Sequence, residues 1–210
     1  MLSRIDDFIF PNRCEVIEII PSQRYIYPIF KNGSSSLYKY AMLQQCKILI
    51  NQQINKVDTI DVIIRNPVER FVSGINTFVY NTKITNPQLD IDTIIYFAET
   101  YLFLNRHYCP QLSWLINLSK YTKKEAKICI NGLEMVSKYT VLHIKPPEEN
   151  LLTPTVIERL TNNVHNEMYI RLDNLLLDLI GQTLTFTEIL EYIKTHDVFA
   201  YTKLTCIALD

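Results

Sequence analysis

Two short segments of this chain combine the residue types that bind an anion. The first contains one cation, one glycine and three consecutive hydroxyls: Lys31, Asn32, Gly33, Ser34, Ser35 and Ser36. A glycine lets the backbone bend tightly or approach a ligand closely, and the N–H groups at the start of a helix attract negative charge. The alternative is that Asn-Gly forms an ordinary turn and that the serines cap a helix. These six residues alone do not decide between a phosphate loop and a turn.

The second segment runs from Arg65 to Gly74 and places a guanidinium near a hydroxyl. Arg65 follows an apolar run, and Ser73 comes eight residues later, two turns into a predicted helix. An arginine beside a hydroxyl at the start of a helix is well suited to holding a phosphate. The alternatives are a surface ion pair for Arg65 and, for Ser73, a hydroxyl bonded to the preceding helical turn.

The elements that must position these residues alternate between strands and helices. Apolar runs rich in Ile and Tyr predict strands at 15–20, 25–30 and 59–65, and a helical pattern extends from 37 to about 50. This order predicts a parallel sheet covered by helices on both faces, with both segments at the carboxyl ends of strands. We therefore expect a single α/β domain over residues 1–210, with a short parallel sheet flanked by helices.

Local signals also place the remaining elements. Asn66, Pro67 and Glu69 form a nearly ideal helix start, with a capping residue, a proline in the first position and a glutamate that can reach back. Further predictions are a solvated helical face at 120–127, a helix from Asp90, a strand at 139–144, and helices at 155–163, 165–180 and 185–199. The C-terminal half is thus expected to be mainly helical.

Composition argues against several classes of function. The 210 residues carry 21 basic and 22 acidic side chains, a balance that disfavours an electrostatically driven nucleic-acid binder. With only four glycines, the chain has no dinucleotide-binding loop, kinase loop or standard nucleoside-triphosphate loop. The five cysteines include no Cys-x-x-Cys, and no acidic pair is placed for Mg²⁺, so we expect no metal.

The sequence also predicts a cytoplasmic protein without a transmembrane segment. No apolar stretch reaches the roughly 18 residues that cross a bilayer. Asp6 and Asp7 stand where a signal peptide would be apolar. An odd number of widely spaced cysteines is typical of a reducing compartment.

Considered together, the two segments resemble the sulfotransferases that use 3′-phosphoadenosine 5′-phosphosulfate (PAPS). The matching pattern is a strand, Lys-x-Gly-Ser-Ser-Ser and a helix, followed by a strand, Arg-x-Pro-x-x-Arg-x-x-Ser and a helix. The stretch from Asn105 to Gln111 is similar to the His-x-x-Pro-Gln motif of the carbohydrate-type branch, and residues 165–178 look like its C-terminal helix. The resemblance implies a nucleoside-kinase-like P-loop fold and sulfuryl transfer to an acceptor hydroxyl of a glycan or small molecule.

The resemblance also implies which residues bind PAPS. The first loop, with Lys31 and the N–H groups after Gly33, would hold the 5′-phosphosulfate, and Arg65 and Ser73 would hold the 3′-phosphate. Lys31 would in addition act in catalysis, because a fixed cation stabilises the charge that develops on the departing phosphate. The fixed cations would make a metal unnecessary.

The catalytic base is the point at which the chain departs from the pattern. Other branches of the family carry a catalytic Glu or His between the two motifs, but residues 37–64 contain neither, only Asp58 and Asp61. His107 is the first candidate, because it lies inside a matching motif and histidine titrates near neutral pH. Asp58 is the second candidate, and a structural role for His107 is an equal alternative.

Two other functions remain open at this point. One is a catalytically silent relative that binds a nucleotide or a sulfated ligand, which the missing base favours. The other is a P-loop-like phosphotransferase, which is disfavoured because Lys31 precedes Gly33 instead of following a glycine.

Overall fold

A mixed six-stranded sheet forms the centre of the molecule in the computed structural model. The structure describes residues 13–88, 90, 92–94, 96, 107–139, 152–162 and 164–202, without the side chains of 21, 85 and 164–169. The strands are β1 (Glu15–Ile19), β2 (Arg24–Tyr27), β3 (Lys47–Ile50), β4 (Thr59–Ile63), β5 (Lys127–Asn131) and β6 (Thr183–Thr185). Their order across the sheet is β3-β1-β2-β4-β5-β6.

The helices with defined bounds in the described part of the chain are six α-helices and three 3₁₀ helices. The α-helices are α1 (Ser34–Leu43), α2 (Pro67–Thr85), α3 (Gln111–Ser119), α4 (Pro154–Thr161), α5 (Val164–Leu177) and α6 (Phe186–His196). The 3₁₀ helices are Ile20–Ser22, Asn51–Lys56 and Leu133–Tyr139. None of the helices in the described part of the chain is both long enough and apolar enough to cross a membrane.

The predicted α/β class is confirmed, but the prediction of a parallel sheet is correct only for its centre. β4 pairs in parallel with β2 and β5, whereas β1 pairs antiparallel with β2 and β3, and β6 pairs antiparallel with β5. The short 3₁₀ turn Ile20–Ser22 explains why β1 and β2 are antiparallel, because a connection of a few residues can only reverse the chain into a hairpin.

The helix predicted from 37 to about 50 is too long, because the chain turns back after Leu43. Gln45 adopts a left-handed conformation (φ 52°), and Cys46 N donates to Ala41 O at 2.8 Å to close the helix end. The next residues, Lys47–Ile50, form the edge strand β3. The apparent helical stripe included Met42, which is 71% exposed in the structure.

One other prediction in the second half is also wrong. Residues 120–126 form turns and not a helical face, and the next residues form β5, where Ile128 and Ile130 are buried. Tyr139 ends a 3₁₀ helix, and the rest of the strand predicted at 139–144 lies outside the described residues. The three predicted C-terminal helices are present as α4, α5 and α6.

Both faces of the sheet are covered by helices. Successive residues of β4 point to opposite faces, so Val62 belongs to the core cluster that includes residues of α2, α3, α5 and α6. Ile63 belongs to the cluster on the other face, with residues of α1 and of the 3₁₀ helix Leu133–Tyr139. Because β2 and β4 are parallel neighbours, with Tyr27 paired to Val62, the loops that follow them leave the same edge of the sheet. This edge carries both predicted phosphate-binding segments.

The start of α2 follows the sequence signals. Asn66 caps the helix through its side chain, which accepts a hydrogen bond from Glu69 N at 3.1 Å, and Pro67 occupies the first turn. The Glu69 carboxylate does not return to the cap; it lies 3.4 Å from Arg65 Nε. At Asp90, the carboxylate accepts from Thr93 N at 3.2 Å, as expected for a helix that begins there.

Candidate functional site

A cavity of about 260 Å³ opens where the loop after β2 meets the first turn of α1. Its walls are formed by Phe30, Lys31, Gly33, Ser34, Ser35, Tyr38, Thr77 and His107. The two residues predicted to be catalytic, Lys31 and His107, therefore lie on one cavity, although 76 positions separate them in the chain (107 − 31). Three residues predicted to bind the cofactor, Gly33, Ser34 and Ser35, line it with them.

The backbone of the first loop turns tightly. Lys31 and Gly33 both adopt left-handed conformations, with φ values of 69° and 84°. A side chain at position 33 would also meet Val136, whose methyl groups would lie 2.6 and 2.8 Å from its Cβ. Gly33 is thus required for both conformation and space, and the left-handed Lys31 is the kind of local strain that concentrates at functional sites.

The first turn of α1 has no side-chain cap. Gly33 is the N-cap, no acidic residue lies in the first turn, and the first intrahelical bond runs from Leu37 N to Gly33 O. In contrast, α2, α4 and α6 are capped by Asn66, Thr153 and Thr185. The N–H groups of Ser34 and Ser35 therefore lie before the first hydrogen bond within the helix, at the positive end of the helix dipole.

Thr77, which the sequence reasoning missed, holds the Lys31 ammonium. Lys31 Nζ donates to Thr77 Oγ1 at 2.5 Å. Thr77 lies one helical turn after Ser73 on α2, so both hydroxyls share one face of that helix. The available signal for Thr77 was its four-residue spacing from Ser73, but the sulfotransferase-like motif ends at Ser73 and does not include Thr77.

Arg65 adjoins the first loop without lining the cavity. Its Nη1 donates to Lys31 O at 3.3 Å, and its Nε lies 3.4 Å from the Glu69 carboxylate. The Glu69 side chain is 62% exposed, and an exposed ion pair of this kind contributes only about 0.2–1 kcal/mol. The surface ion pair considered from the sequence is thus present, and it is weak enough for a phosphate to replace.

The other predicted residues of the two segments take different positions. Asn32 is buried beneath the loop and donates through Nδ2 to Ile63 O at 2.7 Å, so it ties the loop to β4. Ser36 is half-buried in the first turn of α1, and Ser73 is half-buried on α2.

Arg70, the second arginine of the motif, is buried beneath the site and forms hydrogen bonds to two of its segments. Its side chain is 1% exposed; Nε donates to Phe30 O at 3.0 Å and Nη1 donates to Cys109 O. Burial lowers the pKa of Arg70, and the neighbouring Cys109 and Asp173 oppose that shift. Arg70 therefore joins the loop after β2 to the segment that carries His107.

Asp173 anchors the same segment from α5. Its carboxylate accepts hydrogen bonds from Gln111 N at 2.7 Å and Leu112 N at 3.1 Å, and so caps α3, whose own N-cap is Pro110. Burial raises the pKa of Asp173, and Arg70 and the two N–H groups oppose that shift. The cap comes from a distant helix, which no local pattern could reveal.

A methyl group added at Gly74 is expected to displace His107. A Cβ at this position would overlap the backbone carbonyl of His107, because α2 passes directly beneath it. Gly to Ala inside a helix normally stabilises by about 1 kcal/mol, but Gly74→Ala should lower the free energy of unfolding by about 1–3 kcal/mol. Urea unfolding measures the change. In the matched variant Gly132→Ala the three atoms nearest the Cβ belong to the flexible Glu134 carboxylate, so equal losses in both variants would contradict the expectation.

The carboxylates between the two motifs lie away from the cavity. Asp58 precedes β4, 83% exposed and 2.6 Å from Lys123 Nζ, at the amino end of a strand whose length is roughly 16 Å. Asp61 accepts two hydrogen bonds from Arg24, at 2.5 and 2.7 Å, on the sheet face covered by α1. Asp58, the second candidate for the base, is therefore at the wrong end of the strand.

Comparisons with protein-family models, curated proteins and solved structures give no match to this chain. Among the residues that the structure describes, no group of three or more His, Cys, Asp or Glu side chains could hold a metal ion. The chemical interpretation of the cavity therefore depends on its own residues and on the two motifs.

Proposed function

We propose that this protein is a sulfotransferase that transfers the sulfuryl group of PAPS to an acceptor hydroxyl. The observation that supports it best is the cavity itself, which combines the Lys31 ammonium, the uncapped first turn of α1 and the His107 imidazole. This combination offers a cation and N–H donors for an anionic donor group, and a base for the acceptor. The P-loop sulfotransferase fold is part of the same proposal.

Different residues would assist bond formation and bond breaking in a single displacement at sulfur. His107 would accept the proton of the acceptor hydroxyl as its oxygen forms a bond to sulfur. Lys31 and the N–H groups of Ser34 and Ser35 would stabilise the negative charge on the phosphate oxygen as its bond to sulfur breaks. PAPS, when bound, supplies the sulfuryl group, and adenosine 3′,5′-bisphosphate leaves.

Arg65 and Ser73 would bind the 3′-phosphate in this proposal. Arg65 already contacts the first loop through Lys31 O and would exchange its weak pairing with Glu69 for the phosphate. Phe30 and Tyr38 give the cavity aromatic walls, which suit the apolar face of a carbohydrate or another ring-containing acceptor.

Nucleotide-dependent stabilisation tests the proposal directly. At about 100 times its dissociation constant a ligand adds roughly 2.7 kcal/mol of stability. We expect adenosine 3′,5′-bisphosphate to raise the melting temperature, and we expect Arg65→Ala to abolish most of that rise. Arg159→Ala, an exposed arginine on α4, is the matched control and should leave the rise unchanged.

The same measurement separates the alternatives. Stabilisation by ATP with Mg²⁺ alone would contradict the sulfotransferase proposal and favour a phosphotransferase. Binding of the bisphosphate without any turnover of PAPS across a panel of acceptors would favour a catalytically silent relative. No stabilisation by any nucleotide would contradict nucleotide binding itself.

A further inference from the structure

We infer that Gln111 is a positioning residue that holds the first loop and Arg65 at a fixed separation, so that the site recognises both phosphates of one nucleotide. The inference rests on the proposed function. It concerns a side chain that does not line the cavity and that acts through the two segments it joins.

The Gln111 amide hydrogen-bonds to both segments at once. Its Oε1 accepts from Arg65 N at 2.9 Å and from Asn32 Nδ2 at 2.5 Å, and its Nε2 donates to Arg65 O at 2.9 Å. One side chain thus pairs both backbone polar groups of Arg65, as a neighbouring strand would, while it holds the residue between Lys31 and Gly33.

Gln111 is itself rigidly placed. It is fully buried (0% exposed) in the first turn of α3, and Asp173 accepts the hydrogen bond of its backbone N–H. Movement of the Arg65 segment away from Gln111 would take the acceptor from its buried Nε2, and movement of the loop would take one of the two acceptors from Asn32 Nδ2, losses that are costly in a protein interior. The amide therefore sets the distance between the loop at the α1 N-terminus and the start of the Arg65 side chain.

A fixed distance matters because the binding free energies of two contacts to one ligand add fully only when both contacting groups of the protein are already in place before the ligand binds. If the loop and Arg65 could drift apart, binding the second phosphate would have to order them, and part of its contribution would be lost. The measurable consequence is the discrimination ratio, defined as the dissociation constant of adenosine 5′-phosphate divided by that of adenosine 3′,5′-bisphosphate.

The test compares this ratio in variants of the full chain. Gln111→Met keeps the length of the side chain and removes the three hydrogen bonds to Arg65 and Asn32, and we expect the ratio to fall at least about tenfold. Asn117→Leu is the matched control, because it removes a buried amide of the same helix that donates to Tyr27 Oη, at 3.2 Å, and contacts neither segment in the described part of the chain. We expect this control to keep the wild-type ratio.

A second variant covers the case in which Gln111→Met does not fold. Asn32→Ala removes the bonds from the loop to Gln111 and to Ile63 O but leaves the Gln111–Arg65 pair in place, and it should also lower the ratio. An unchanged ratio in the folded variants, or an equal fall in Asn117→Leu, would overturn the inference while the proposed function stands. If the wild-type protein does not distinguish the two nucleotides, the proposed function fails and the inference fails with it.

Discussion

Replacing Lys31 by methionine is expected to lower the rate of sulfuryl transfer by about 10²- to 10³-fold, the loss typical for removal of one preorganised donor to a developing negative charge. Methionine keeps the aliphatic stem and removes the ammonium, which is already positioned within 2.5 Å of Thr77 Oγ1 at the cavity. The kcat of the variant with PAPS and a reactive acceptor is the measurement. Binding of adenosine 3′,5′-bisphosphate should weaken as well, because its 5′-phosphate carries in full the charge that the ammonium stabilises as the bond to sulfur breaks.

The control for Lys31→Met is a lysine far from the cavity. Lys47 is exposed at the start of the edge strand β3, and Lys47→Met should keep wild-type kcat. A Lys31→Met variant that is folded and retains more than about a third of wild-type kcat would contradict a role for this ammonium in stabilising the leaving group.

Replacing His107 by alanine is expected to lower turnover by about 10²- to 10⁴-fold while nucleotide binding persists. The imidazole lines the cavity, and its ring centre lies 5.2 Å from that of Phe30, so the backbone and the aromatic wall already hold it in place. The measurements are kcat with PAPS and the melting shift produced by adenosine 3′,5′-bisphosphate. The expected result is a lost rate with an unchanged shift.

Added imidazole distinguishes a base from a structural histidine at this position. If His107 takes the proton, free imidazole should restore part of the rate of His107→Ala, because the small base can enter the space that the side chain leaves. His196→Ala, at the exposed end of α6, should have wild-type activity. Full activity of His107→Ala would show that the base is another group. A lost rate without imidazole rescue would indicate that the ring serves to shape the cavity.

Local patterns were sufficient for several features in which a residue and its partner are close in the chain. The cap at Asn66 follows from a three-residue spacing to Glu69, and the structure contains it. The loop that begins at Lys31 was placed correctly between a strand and a helix for the same reason. The errors came where local preference competes with pairing between distant segments. At Lys47–Ile50 a short helical stripe was less stabilising than the ladder of hydrogen bonds with β1.

The sequence by itself therefore determined the two segments, their order and their places after β2 and β4. Only the tertiary structure decided that Lys31 and His107 share a cavity and that Thr77 holds the lysine. It also decided that Gln111, which is 79 residues from Asn32, joins the two segments. The physical reason is that these contacts depend on which strands become neighbours and on how α2 and α3 pack against them. The neighbours of each strand and the packing of each helix are determined by the burial of apolar side chains over the whole sheet. They therefore produce no periodic pattern in the sequence around any one of these residues.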